Sequence, residues 1–193
     1  MPPDDTAEMY LPHFVVKQKL TLMINRYEVS ESDEAGNPTR LMALAEQKRM
    51  AFKEQVTFYS DAVKSRAVFG FKARKKLDLG SGYDVTDEGG AQIGFFRKDF
   101  GASLLRSTFH VEGPGYTGTG RERNQVVGLL RRFADVDFIP IHFDFVDAAG
   151  TALFSVERKM SIGDRYRVTV PDRRVDFRVA AAVAVALDTL MAR

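Results

Sequence analysis

Between Val179 and Leu187 the chain runs for nine residues, VAAAVAVAL, without a polar side chain. A helix formed there is apolar at every angle, and such a helix must be enclosed by other parts of the fold. The local signals favour a helix. Its interior is mostly alanine, Asp172 is placed to cap its start, and Asp176 falls in the first turn, where negative charge suits the dipole. Nine residues rise only about 13 Å, against about 30 Å of bilayer hydrocarbon. Arg178 and Asp188 bracket the run, and each would be expensive at that depth. The stretch Arg173 to Met191 is therefore expected as a thin helix wrapped by the rest of the chain.

Upstream, the chain reads mainly as short strands. Phe14 to Val29 is rich in β-branched and aromatic residues and ends at the turn-like SESDEAGNP. Ala67, Phe69, Phe71 and Ala73 fall on one face against Arg66, Lys72 and Arg74 on the other, the two-residue period of a strand. YDVTDEGGAQIGFFRK predicts a hairpin turning at Asp87 to Gly90, and DFIPIHFDFVDAAGTALFSVERK a second, with Ile139, Ile141, Phe143 and Phe145 on one face. A strand over Ser107 to Glu112 precedes the glycine-rich GPGYTGTG. Val126, Leu129, Leu130 and Phe133 then fall at i, i+3, i+4 and i+7, which predicts an amphipathic helix from Arg121 to Ala134. Leu41 to Val56 consists almost wholly of helix formers, so local propensity favours helix there too.

The chain also repeats itself. Lys76, Leu79, Gly80, Tyr83 and Val85 match Lys159, Ile162, Gly163, Tyr166 and Val168 at a constant offset of 83. Asp87, Gly90, Ile93 and Lys98 match Asp147, Gly150, Leu153 and Arg158 at an offset of 60. One strand–turn–strand unit with a basic end has been reused, and repeated hairpins around a helix point to a closed or nearly closed barrel.

Tyr-x-Val-x-Asp-x-x-Gly, followed by an apolar strand ending in Arg-Lys and later by another Tyr-x-Val, resembles the LURP-one-related proteins. With the phospholipid scramblases, these belong to the tubby C-terminal-like superfamily. The resemblance runs from about Phe14 to the C-terminus and is strongest over Tyr83 to Lys98 and Asp147 to Val170. It implies a mainly β fold, a closed or nearly closed antiparallel barrel of about a dozen strands around the hydrophobic C-terminal helix. It also implies that Leu41 to Phe58 is two strands, against local propensity. The glycine-rich loop and its following helix do not fit the family pattern, so one extra amphipathic helix is expected. The organisation expected is a flexible lead over residues 1–12 and a single barrel domain over 13–193.

Several constellations could carry chemistry. Gly113, Gly115 and Gly118 spell GxGxxG after a strand, with Asp135 and Asp137 near the acidic position of a dinucleotide fingerprint. A flexible connection accounts for the same residues. In a weaker form, Gly118, Gly120, Arg121 and Arg123 at a helix start could hold a phosphate. His110 and His142 sit opposite apolar strand neighbours and read as surface residues. No Cys, third nearby His or ligand spacing supports a metal. Asp87 and Asp147 read as turn residues, not as paired catalytic carboxylates. No catalytic set, cofactor or metal site is therefore expected.

Basic residues offer more. Lys72, Arg74, Lys75, Lys76, Arg97, Lys98, Arg158 and Lys159 all lie at ends of the repeated strands, so a barrel could gather them at one rim. Such a rim would attract anionic head groups, and the resemblance favours lipid, since tubby domains bind phosphoinositides. Solvated charges that discourage strand aggregation are the competing explanation. The chain has 28 Lys and Arg against 26 Asp and Glu, too even a balance to imply nucleic acid. Its acidic, proline-containing start and lack of Cys fit a cytoplasmic protein, peripheral at most to the inner membrane face. The function expected is a non-enzymatic barrel that binds an anionic phospholipid surface or a protein partner. The alternatives are an enzyme or binding protein using residues 113–120 for a nucleotide or phosphorylated ligand, and a structural interaction module.

Overall fold

The structure is a computed structural model that describes residues 9–20, 24–48, 55–74, 82–99, 108–123, 142–159 and 165–191. Twelve strands occur in chain order: β1 (His13–Leu20), β2 (Ile24–Ser32), β3 (Pro38–Lys48), β4 (Gln55–Tyr59), β5 (Ala67–Ala73), β6 (Tyr83–Asp87), β7 (Gln92–Asp99), β8 (Thr108–Gly113), β9 (Tyr116–Glu122), β10 (His142–Val146), β11 (Ala152–Lys159) and β12 (Arg165–Thr169). Each pairs antiparallel with its sequence neighbours, and β1 closes the ring against β12, with Phe14 opposite Val168. The helix α1 (Phe177–Met191) follows.

An eight-stranded barrel is filled by its own side chains, whereas twelve strands leave an interior that needs a further element. Here α1 supplies it. Every residue from Val179 to Leu187 is at most 1% exposed, as the apolar run required. Alanine keeps the helix thin, and the inward strand positions complete the core with aromatic rings. Phe177 meets Phe14 and Phe69 edge-on at 6.1 and 6.2 Å, and Phe58 stacks on Phe69 at 4.2 Å. Gly94 gives α1 room, since a Cβ there would sit 2.6 Å from a Val179 methyl.

Residues 38–48 and 55–59 are strands, as the family resemblance implied and local propensity did not. Tertiary burial explains this. Ala43 and Ala45, then Val56 and Phe58, alternate into the core at the strand period.

Two helix expectations are corrected. The amphipathic helix cannot begin at Arg121, because Arg121 and Glu122 are the last residues of β9, paired with Asp144 and Phe143 of β10. Residues 124–134 lie outside the described residues, among which α1 is the single helix. Ile139 and Ile141 lie outside them as well. The cap of α1 is Asp176, not Asp172: Asp176 Oδ1 accepts a 2.9 Å hydrogen bond from the Arg178 amide. Asp172 instead turns the preceding linker, accepting from the Arg174 amide at 2.9 Å. Of the lead expected over residues 1–12, the Met9 carbonyl accepts from the Phe177 amide and the Pro12 carbonyl from the Val170 amide.

The rim at which α1 enters is built from tight turns, four of them of one design. Asp33, Asp61, Asp87 and Asp147 each accept the amide of the residue four places on, Asn37, Ser65, Ala91 and Thr151, at 2.8–3.0 Å. The residue three places on has positive φ: Gly36, Lys64, Gly90 and Gly150. Two of these turns were legible as the repeat at 87 and 147. The one at Asp61 was hidden because Lys64 occupies the glycine position at φ 60°.

These turns predict an acid limit to stability. The Asn37 side chain holds the Asp33 carboxyl below its ordinary value of 3.8, the Ser65 hydroxyl does so for Asp61, and the Thr151 amide for Asp147. Values depressed in the folded state give stability that is complete above the ordinary carboxylate range and is lost as pH falls through the folded values. Melting temperature should therefore drop below about pH 4. Thermal melts into the acid range check this, and Asp147→Asn should show a shallower acid loss.

Candidate functional site

Because the strands alternate in direction, the ends of β1, β3, β5, β7, β9 and β11 lie together at the rim opposite the helix entry. Lys72 and Arg74 flank the last residue of β5, Arg97 and Lys98 precede the last residue of β7, Arg121 and Arg123 flank the last residue of β9, and Arg158 and Lys159 end β11. The two candidate sets, read separately in the sequence as a basic cluster and a phosphate loop, thus share one end of the barrel. Lys75 and Lys76 lie outside the described residues.

Strand parity divides the cations. Lys72 and Arg97 are exposed on the outer wall, opposite Asp84 and His110 respectively. Lys98 and Arg158 occupy inward-facing positions, paired in register with the core residues Phe109 and Tyr166. They line the mouth towards which the C-terminus of α1 points, where cations complement the helix dipole. Gathering the strand ends at one rim left this division unread, although the two-residue period carried it.

Two of the outward arginines are already engaged. Arg74 donates to Asp84 Oδ1 from Nε at 2.9 Å, and its guanidinium lies 3.9 Å from the centre of the Phe95 ring. Phe95 points outward yet is 5% exposed, so Arg74 acts as its cover. The Asp84 hydrogen bond raises the Arg74 pKa further above its ordinary value. Arg123 makes a bidentate pair with Asp144, both bonds 2.7 Å, which raises its pKa in the same way. Lys72, Arg97 and Arg121 make no ion pair among the described residues.

GPGYTGTG is a hairpin. Gly113 ends β8, Pro114 and Gly115 make the turn, and Gly118 and Gly120 belong to β9. The strand-then-helix setting of a dinucleotide loop is therefore absent at residues 113–123, where strand follows strand. The glycines serve packing: a Cβ at Gly118 would meet Leu153 Cδ1 at 2.3 Å, and one at Gly120 a Phe145 ring carbon at 2.2 Å. Phe145 cannot yield easily, because it stacks on Phe154 at 4.1 Å. Gly120→Ala should cost about 2–3 kcal/mol and lower the melting temperature by roughly 5–10 °C. An unchanged melt would remove the packing role.

Among the described residues no group of three His, Asp or Glu side chains is arranged to hold a metal, and no helix is long and apolar enough to cross a membrane. His110 and His142 are part-buried on strands, with Nε2 atoms 3.8 Å from Asp99 and 3.4 Å from Asp144.

The sequence pattern of the LURP-one-related family matches residues 42–188, which run from β3 into α1. The chain belongs to the LURP-one-related family. A tubby-like barrel accords with that membership, and β1 and β2, which precede the matched residues, complete its ring. No curated protein matches the chain. LURP-one-related membership thus accounts for the barrel and its helix, while the division of cations between wall and mouth is a property of these residues.

Proposed function

We propose that this LURP-one-related barrel docks through its basic rim on an anionic phospholipid surface, as a non-enzymatic binding module at the inner face of the membrane. One observation carries the reading: four alternate strands, β5, β7, β9 and β11, each have two basic residues within two positions of their ends, and alternate strands end at the same rim. The opposite rim supports it, since its turns carry Asp33, Asp61, Asp87 and Asp147 and would be repelled by the same surface. Arg74 and Arg123 contribute least, because their charges are met by Asp84 and Asp144. Lys72 and Arg121 contribute most.

Each cation brought to an anionic surface is worth about 1 kcal/mol. The double variant Lys72→Gln/Arg121→Gln should therefore bind vesicles containing phosphatidylserine or phosphoinositide about thirtyfold more weakly than the wild type. Binding should also fall steeply with salt, since exposed charges are screened. Co-sedimentation at graded salt measures both effects. Equal binding to neutral phosphatidylcholine vesicles, or none to anionic ones, would turn the reading towards a protein partner.

A further inference from the structure

The outer wall over β7, β8 and β9 holds a groove of about 200 Å³, bounded by Arg97, His110, Glu112, Thr117, Thr119 and the β10–β11 turn at Asp147. Its floor is low because the backbone of Val111 and Gly118 and two short threonines form it. In register, Arg97 lies opposite His110 and His110 opposite Thr119, whereas Glu112 lies opposite Thr117 one row further along. The two rows are two residues apart on β8, about 7 Å. One end of the groove therefore offers a guanidinium and an imidazole, and the other a carboxylate and a hydroxyl.

These opposite charges are not paired with each other, although each end has a counter-charge beside it: Asp99 lies 3.8 Å from His110 Nε2, and Arg74 is close enough to Glu112 to interact with it. Arg97 and Glu112 form no ion pair among the described residues, although both line the same groove. Asp147 adds negative potential at the Glu112 end, but its own oxygens are committed: Oδ1 accepts from the Ala149 and Thr151 amides at 2.9 Å, and Oδ2 lies 3.7 Å from Arg174. A ligand with one charge would satisfy one end and face repulsion from the other. A ligand with both would satisfy each.

We propose that this groove binds a compact molecule carrying an ammonium group and a carboxylate or phosphate. Arg97 and His110 receive the anionic end, Glu112 and the Thr117 hydroxyl the ammonium. The chemistry is shared by a free amino acid and by the phosphoethanolamine part of a lipid. The site shares Arg97 with the basic rim but not Lys72 or Arg121, so its binding is measured apart from docking by that rim.

The test is a titration of the full-length protein, followed by amide chemical shifts, with phosphoethanolamine, β-alanine, inorganic phosphate and ethanolamine in turn. One of the first two should saturate at least about tenfold more tightly than either single-charge probe, with shifts centred on Arg97, His110, Glu112 and Thr117. Tighter phosphoethanolamine binding indicates a headgroup-type ligand, and tighter β-alanine binding a free amino acid. Glu112→Gln, with its melt measured to show that it folds, should weaken the double-charged probe about tenfold and leave phosphate bound as tightly or more tightly, because the repulsion from the carboxylate is gone. Phosphate alone binding as tightly as the double-charged probes overturns the proposal. So does the absence of saturable shifts up to about 20 mM, or shifts confined to the far rim.

Discussion

Val183→Asp is expected to yield a protein that is unfolded or insoluble. Val183 lies at the middle of α1, fully buried, with Ala182 and Ala184 beside it equally buried. The new carboxylate would have core side chains around it and no partner. Burying an uncompensated charge costs several kcal/mol, against a total stability of about 5–15 kcal/mol for a domain. Deleting everything after Pro171 should have the same outcome, because the inward faces of the twelve strands would then enclose an unfilled interior. Circular dichroism and thermal melting decide both. A cooperative melt near the wild-type temperature in either variant would mean that the barrel stands without its helix.

The second large effect is expected at the entrance of that helix. Asp176 and Arg178 are 6% and 7% exposed, and both carboxylate oxygens accept from the guanidinium, Oδ1 from Nε at 3.0 Å and Oδ2 from Nη2 at 2.6 Å, besides the bond that caps the helix. Asp176→Ala removes the cap, worth about 1 kcal/mol, and leaves a buried guanidinium without its carboxylate, worth about 3–5 kcal/mol. Asp176→Asn separates the two contributions, since asparagine caps as well as aspartate but carries no charge. It should fall between wild type and Asp176→Ala. Asp176→Ala/Arg178→Met should recover much of the loss, because no buried charge then remains. Denaturant titrations of the four proteins measure this. A loss below about 1 kcal/mol in Asp176→Ala would mean that the pair is not desolvated in solution.

Both predictions rest on a helix that was legible from composition alone: a run apolar at every angle has only one stable place in a water-soluble fold, and a bracketed nine-residue run is too short for a bilayer. The hairpins at Asp87–Gly90 and Asp147–Gly150 were legible as well, because their chemistry is local: an aspartate that accepts its own turn's amide and a glycine that takes positive φ. The strands at 38–48 and 55–59 were legible only through family resemblance, since their alanines and glutamates favour helix until a core exists for Ala43, Ala45, Val56 and Phe58 to enter.

Tertiary structure alone decided the remainder. Gly118 and Gly120 read in the sequence as a phosphate cradle or as part of a flexible connection, and the Phe145 ring and a Leu153 methyl, distant in sequence, give them a packing role that neither reading contained. That Arg97 and Lys98 face opposite sides follows from the two-residue period, but that Lys98 is the one aligned with the core residue Phe109 is seen only in the pairing of β7 with β8. Antiparallel alternation puts the basic ends of β5 and β11 at the same edge of the sheet across roughly ninety residues, and closure of β1 on β12 curls that edge into a ring. Sequence determines local turn chemistry and the periodicity of burial because those depend on near neighbours. Juxtaposition across a barrel depends on how many strands close it and in what register, and no short stretch of the chain encodes that by itself.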